Sequence, residues 1–564
     1  MKPYRQAPTD DPLTVASIIM RLLLVISLLL AVSGASAQDA RDFTHADTLR
    51  GSNGPARAWW DVTYYDLNVR VSPADSSLSG WNAITYRVVA SGREMQIDLQ
   101  PPMVLDRVEF QGADLALRRN GNAYFATLAL APEIGSTQTV TAHFSGKPVV
   151  AARPPWDGGY QWETDASGAP WVATSNQGLG ASVWWPNKDY QSEEPDSQRV
   201  AVTVPNPMVD VSNGRLRDTR DNRDGTTTYV WFVSNPINNY SISVNAGSYA
   251  HWSEQFEGEL GTLTMDFWPL AENLERARAQ WAQARTMMTC FEHWFGPYPW
   301  YEDGYKLIEV PYLGMEHQSA VTYGNGYQNG YLGTDLSDTG WGLEWDFIVV
   351  HESGHEWWGN SITAADIADN WVHESFTNYS ENLYTECLTG SKEAGAEYVI
   401  GTRSRIANRR PIVGTYGVSA GGADIYYKGG NMLHTIRQLV DDDEKWRGIL
   451  RGLNEEFWHQ IVPGARVEQY ITRASGLELE PVFEQYLRTT MVPVLEWQLD
   501  GSALSYRWSN VIYGFDMPVR VTLRPGEYSW IEPTEMWQTV ETELGASGEF
   551  QVDVNFYVEA KEAR

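Results

Sequence analysis

Two histidines four residues apart, with a glutamate directly after the first, stand at His351-Glu352-Ser353-Gly354-His355. They follow the apolar run Phe347-Ile348-Val349-Val350 in a stretch of helical pattern. On a helix, positions i and i+4 share a face and lie about 6 Å apart along the axis. Both imidazoles then reach one metal ion, and zinc favours nitrogen ligands in a tetrahedron. Glu352 projects beside such an ion rather than at it, where a carboxylate takes a proton from an attacking water. A catalytic zinc keeps three protein ligands and one open position. Glu374, in Trp371-Val372-His373-Glu374-Ser375-Phe376, is a third ligand brought back by a helix, a turn and a second helix; His373 competes for the role. On the histidine pair alone, two satisfied helix histidines are the plain alternative.

The elements that must position these groups are legible in outline. Helical spacing predicts helices over residues 272–295, 345–359, 371–388 and 431–440, with helical pattern continuing to about Leu487. Residues 296–340, rich in Gly and Tyr, read as a loop region. Before residue 247 the period is two: Tyr65, Leu67, Val69 and Val71 alternate, as do Ile84, Tyr86 and Val88. Beyond Pro493 period two returns, in Val519, Val521 and Leu523 and in Val552, Val554, Phe556 and Val558.

With H-E-x-x-H, eighteen residues and then Glu, the chain resembles the aminopeptidase N family of zinc metallopeptidases, within the gluzincin group. Three further stretches carry the resemblance. Leu313-Gly314-Met315-Glu316-His317 stands where the family has Gly-x-Met-Glu-Asn; Tyr426-Tyr427-Lys428-Gly429 resembles its Tyr-x-Lys-Gly; Gln177 resembles its N-terminal Gln or Glu. The order of these pieces matches from about Ala58 to Tyr557. The resemblance implies one Zn²⁺ per chain held by His351, His355 and Glu374, with Glu374 preferred to His373 on its spacing. It implies Glu352 as general base, Tyr426 as oxyanion donor with Tyr427 as the neighbour it is confusable with, and Glu316, aided by the amide oxygen of Gln177, as the carboxylate for a substrate α-ammonium. Tyr312 is a candidate for the first side-chain pocket, and most tryptophans, Trp184, Trp185, Trp357 and Trp358 among them, are expected in the core. Leu313, His317 and His373 depart from the family pattern, and Leu313 alters how the backbone lines the substrate.

The fold implied is α+β and multidomain: an N-terminal β-domain over 38–249, a mainly helical, thermolysin-like zinc catalytic domain over 250–491, and a small C-terminal β-sandwich over 492–564. The large C-terminal helical domain of longer relatives has no counterpart, so a more open cleft is expected. The implied function is removal of the N-terminal residue from peptides with free N-termini. A thermolysin-like zinc endopeptidase and a non-catalytic peptide-binding scaffold are the rivals, with epoxide hydrolysis a remote third.

Composition limits the partners. The 564 residues carry 42 Lys+Arg and 72 Asp+Glu, a net charge of −30, which disfavours nucleic acid and favours cationic ligands. With 43% hydrophobic residues and 25 Trp, 29 Tyr and 16 Phe, the bulk of the chain builds a core. Met20-Arg21, the apolar run Leu22–Val32 and the small-residue exit Ser33-Gly34-Ala35-Ser36-Ala37 form a secretory signal peptide over 20–37, cleaved after Ala37; an uncleaved anchor is the alternative. Export to the periplasm or medium follows, with no membrane span in the mature chain. The oligomeric state is not encoded in any pattern. Cys290 and Cys387, the only cysteines, are expected as buried small apolar residues.

Overall fold

The computed structural model describes residues 44–177, 180–545 and 549–563. The signal segment expected at Met20–Ala37 lies outside them. No helix among the described residues is long and apolar enough to cross a membrane. Residues Leu49–Arg564 form one compact unit.

The first part of this unit is β-structure. An eight-stranded sheet runs in the order Arg215–Asp221, Thr226–Val233, Ser197–Pro205, Trp60–Ser72, Ser77–Val88, Thr137–Gly146, Val104–Phe110 and Ala113–Asp114. All neighbours are antiparallel except Trp60–Ser72 with Ser197–Pro205. Its alternation does what period two requires: Tyr65, Leu67, Val69 and Val71 are buried, and Tyr65 meets Trp185 edge-on at 5.1 Å. A four-stranded sheet, ordered Val209–Val211, Asn245–Gly247, Pro170–Ser175 and Gly159–Thr164, ends its third strand two residues before Gln177.

A five-stranded sheet follows: β1 (Trp252–Gly258), β2 (Gly261–Trp268), β3 (Tyr305–Glu309), β4 (Gly314–Met315) and β5 (Val321–Tyr323), ordered β1-β2-β3-β5-β4. Three of these strands occupy the stretch expected to be loop. β3 is buried at every position, so it shows no alternation to read, and β4 and β5 are too short to show a period.

The helices after this sheet's second strand are α1 (Leu274–Gln280), α2 (Gln283–Phe295), α3 (Phe347–Gly354), α4 (Trp371–Thr389), α5 (Lys392–Gly401), α6 (Tyr427–Val440), α7 (Asp443–Glu456), α8 (Gly464–Ser475) and α9 (Glu480–Arg488). The single helix expected over 272–295 is broken at Trp281, whose buried indole stacks on Trp252 and Phe267. The helix expected to reach Gly359 stops regular winding at Gly354, with His355 as its C-cap. At Gly354 an added Cβ would sit 2.6 Å from Ser380 Oγ, so the glycine lets α3 lie close against α4.

Strands Gln538–Glu541, Ala503–Ser509, Val494–Asp500 and Glu559–Glu562 form a C-terminal sheet in that order, beside the hairpin Val519–Arg524 with Glu527–Ile531. The strand expected over Val552–Val558 is not formed. Val552 makes a single bridge to Val521, and the chain then turns. Its polar groups go to the helices instead: Tyr557 N–H donates to Thr435 Oγ1 at 3.0 Å, and Tyr486 OH donates to Tyr557 O at 2.6 Å. The cysteine expectation also fails. Cys290 on α2 and Cys387 on α4 form a disulfide with Cα atoms 6.0 Å apart.

Candidate active site

α3 carries the first three functional groups, and its start is firmly set. Asp346 caps it, accepting from the N–H groups of Ile348 and Val349 at 3.1 and 3.4 Å. Tyr323 OH, Asn325 Nδ2 and Gln280 Nε2 in turn donate to the Asp346 carboxylate at 2.6–2.9 Å. The helix is buried throughout, which explains why its apolar run has no polar face.

The ring nitrogens of both histidines are assigned by their partners. His351 Nδ1 lies 2.8 Å from Glu381 Oε1, and His355 Nδ1 lies 2.9 Å from Trp358 O. Each partner is an acceptor, so each Nδ1 carries a hydrogen and each Nε2 presents a lone pair. These nitrogens face Glu374 Oε2 at 3.8 Å for His351 and 3.3 Å for His355. That oxygen is buried and has no hydrogen-bond partner. Three acceptor atoms that converge in a buried place repel one another unless a cation lies between them. The three ligand atoms lie within 4.8 Å of one another, the donor set is two imidazoles and a carboxylate, and both suit zinc. The electrostatics show the same demand for positive charge, which a proton meets where no ion is bound. Burial disfavours charged imidazoles, yet Glu374 overrides it and raises His355 to about 9, while His355 and His351 hold Glu374 well below the carboxylate range. Glu316, Glu352 and His355 form a second such group, which shares His355 with the first.

His373 is not a ligand. Its Nε2 accepts from Ala364 N–H at 2.8 Å, and burial pushes its pKa down to about 3. Glu352 lines the same cavity, and burial, reinforced by Glu316 and Glu374 against both histidines, raises its carboxyl to about 7. A carboxyl near neutrality suits proton transfer in both directions. β4 brings Glu316 alongside; at Gly314 an added Cβ would come within 2.6 Å of Ile348 Cγ2 and 3.3 Å of Glu352 Cγ, so the strand packs on α3 only because that residue is glycine.

Gln177 Nε2 donates to Glu316 Oε1 and lies 3.5 Å from Glu374 Oε1. The amide nitrogen therefore meets Glu316. Burial raises the Glu316 carboxyl, with Glu374 adding to it and His355 opposing. His317 turns away from the cleft, its ring nitrogens 3.0 Å from Ser241 O and 3.2 Å from Thr174 O, and so ties the motif to the N-terminal β-structure. Tyr312 also lies off the cleft, donating to Thr174 O at 2.6 Å. Trp184, Trp185, Trp357 and Trp358 are core residues, as expected.

Tyr426 and Tyr427 both line the cavity, at the start of α6. Tyr426 lies with its ring 6.0 Å from that of His351 and its hydroxyl against Glu374; burial raises its pKa strongly, and Glu374, Glu316 and Glu352 add to this. Tyr427 faces Glu381, Arg405 and Tyr331 instead. α6 comes this close because of Gly429 and Gly430, where a Cβ would meet Ser375 Oγ at 1.9 Å and Asn378 Oδ1 at 2.3 Å. Lys428 is structural: its Nζ donates to Thr489 O at 2.7 Å.

Two groups escaped the sequence reading. Glu381 orients His351 and accepts from Tyr398 OH at 2.8 Å on its other oxygen. The signal was present: Glu381 is seven residues, or two turns, beyond Glu374 on the same helix face. Trp156, 62% exposed, enters the cleft wall from an N-terminal loop and follows no periodic pattern. The whole cavity measures about 350 Å³.

Residues 280–486 match the model of the Peptidase family M1 domain. The chain is similar to the leucyl aminopeptidase of Saccharolobus solfataricus, with 21% identity over 54% of this chain and 40% of the relative. It is also similar to mouse (Mus musculus) aminopeptidase B, 24% identical over 68% of this chain and 56% of the relative, and to leukotriene A-4 hydrolase of Xenopus laevis, 26% identical over 45% and 42%. The matches thus span about half or less of these relatives' length. In fold it resembles an M1 zinc metallopeptidase from Deinococcus radiodurans, with a TM-score of 0.66 at 20% identity over 78% of this chain and 96% of that one. A mutant of that type bound to a Tyr-Ser-Ala substrate gives 0.64 at 20% identity over 79% and 98%.

Proposed function

We propose that this chain, whose residues 280–486 match the Peptidase family M1 domain, is a zinc-dependent aminopeptidase that removes the first residue of peptides with free N-termini. The observation that carries the exopeptidase part is the buried carboxylate of Glu316, held by the half-buried Gln177 beside Glu352 and the His351–His355–Glu374 cluster.

His351, His355 and Glu374 would hold a zinc ion, which when bound would supply Lewis acidity at the scissile carbonyl. Glu352 takes a proton from that water and passes it to the departing amine. Tyr426 donates to the carbonyl oxygen as negative charge develops there. Glu316 replaces the lost hydration of the α-ammonium by a charge-assisted hydrogen bond, with the Gln177 amide nitrogen holding the carboxylate in place. Fixing the ammonium sets the first peptide bond, and no later one, at the reacting groups.

The finer organisation belongs to the same proposal. The N-terminal β-domain spans 38–249, the thermolysin-like domain 250–491, and residues 492–564 form a small β-sandwich. Export by the signal peptide at 20–37 is supported by the Cys290–Cys387 disulfide, because such bonds persist in oxidising compartments.

The test is a panel of aminoacyl amides, each free or N-acetylated, assayed with and without chelator. Chelator-sensitive cleavage of the free set alone is expected, and Glu316→Ala should abolish that selectivity. Cleavage of blocked peptides at comparable rates would replace this reading with an endopeptidase.

A further inference from the structure

Leu313 stands where the motif of the resembling family has its first glycine, and its side chain is half-buried between two cavities. One is the cleft of about 350 Å³ described above. The other, of about 370 Å³, lies on the far side of the 310–314 segment and is walled by Trp171, Pro311, Tyr312, Tyr323, Tyr327 and Leu332. Leu313 is the one residue common to the two linings.

We propose that Leu313 is the partition that sets how large a first side chain the cleft accepts, and that the aromatic cavity behind it is a closed-off extension of that subsite. The proposal rests on the aminopeptidase reading. Three observations carry it beyond the fact of a shared wall.

The backbone at this point is tied to the neighbouring strand. Gly324 N–H donates to Leu313 O at 2.7 Å, and Val310 N–H donates to Tyr323 O at 2.8 Å. Packing is so close that a Cβ on Gly324 would fall 1.6 Å from Tyr312 O. With the main chain clamped, the side chain at 313 decides where the wall stands.

An ammonium held at Glu316 brings the first side chain to this wall. Glu316 is three residues beyond Leu313 on the segment that includes β4, and Gly314 and Glu316 line the cleft with it.

The rear cavity suits an aromatic ring. Its one buried acid, Glu309, is already satisfied: Oε2 accepts from Leu270 N–H and Oε1 from Asn273 Nδ2, both at 2.7 Å. Both carboxylate oxygens are thus taken by donors of the protein, and Trp171, Tyr312, Tyr323 and Tyr327 supply aromatic walls for an incoming apolar group.

One methylene in such a pocket changes selectivity by about 10- to 200-fold, so removing the isobutyl group is readily measured. The experiment compares wild type, Leu313→Ala, Leu313→Gly and Leu313→Phe in the zinc-loaded full chain. One readout is kcat/KM for alanyl, leucyl and tryptophyl coumarin amides. The other is calorimetric affinity for propylamine and 2-(2-naphthyl)ethylamine, which needs no turnover. Leu313→Ala and Leu313→Gly should raise the tryptophyl-to-alanyl ratio, and the naphthyl-to-propyl affinity ratio, at least tenfold. Leu313→Phe should lower the leucyl-to-alanyl ratio, which keeps the proposal testable if the smaller variants unfold. Ratios within twofold of wild type in every folded variant overturn it. If the amine ratios shift as expected while no aminoacyl amide is cleaved, the partition stands and the aminopeptidase reading falls.

Discussion

Glu381 acts through His351, so its replacement should be read directly in metal affinity. The carboxylate is fully buried, with one oxygen 2.8 Å from His351 Nδ1 and the other accepting from Tyr398 OH at 2.8 Å. The first contact holds the His351 hydrogen on Nδ1 and so keeps the Nε2 lone pair aimed at the ligand cluster. In Glu381→Ala nothing selects that tautomer, and the ring loses its brace. Loss of such a partner costs about 10- to 100-fold in metal affinity, or about 1.4–2.7 kcal/mol. The Tyr398 hydroxyl is also left buried without its acceptor, which costs about 1–3 kcal/mol of stability. Glu381→Gln keeps an acceptor and the volume, and should fall between wild type and alanine. Tyr398→Phe removes the outer contact alone and should change affinity least. The assay is competition for zinc against a chromophoric chelator at fixed pH, with thermal unfolding of the zinc-loaded and stripped proteins beside it. A Glu381→Ala protein that is folded and binds zinc within twofold of wild type would refute the orienting role.

The other expectations are simpler. Glu352→Gln should retain zinc and lose about 10²–10⁴-fold in kcat; a variant that keeps its turnover removes Glu352 from proton transfer. Tyr426→Phe should lower kcat about 10²–10³-fold with KM little changed, and an equal effect from Tyr427→Phe would show that the contact with Glu374 does not identify the donor. His317 makes stability depend on pH. Burial pushes its imidazole down to about 4 from the ordinary 6.5, so between these values the unfolded chain binds the extra proton. Its contribution is complete above about pH 6.5 and is lost as pH falls towards 4, about 3 kcal/mol in all. Urea unfolding at pH 7 and 4.5 should show a smaller acid loss for His317→Asn than for wild type, and identical slopes would count against a neutral His317.

What the sequence revealed follows from periodicity. His351, Glu352 and His355 are legible because a 3.6-residue repeat fixes which side chains share a face, and Glu381 was equally legible two turns beyond Glu374. Where no period exists, the reading failed. Fully buried β3 shows no alternation, and β4 and β5 are two and three residues long. Val552–Val558 alternates convincingly but pairs its polar groups with α6 and α9, a tertiary choice that local pattern cannot contain. Cys290 and Cys387 are separated by 97 residues, and only the packing of α2 on α4 makes them neighbours. Tyr426 and Tyr427 are adjacent and chemically identical, so only the start of α6 separates their surroundings.

The strongest argument against a purely structural role for this cluster is its cost. Glu316, Glu352, Glu374 and Glu381 are each less than a tenth exposed, around one small cavity that offers two imidazoles as the nearest cationic partners. Buried carboxylates destabilise a fold unless they are paired. A core built for stability alone would place apolar residues here, as the surrounding Phe347, Ile348 and Leu336 show the local packing permits. A divalent ion at Glu374 and a substrate ammonium at Glu316 would supply the missing positive charge at two separate points. A scaffold that bound peptides without cutting them would use the second charge but would have no use for Glu352, whose carboxyl is raised to about 7 by burial, Glu316 and Glu374 against both histidines. The placement of that third acid is what separates a hydrolase from a binding cleft.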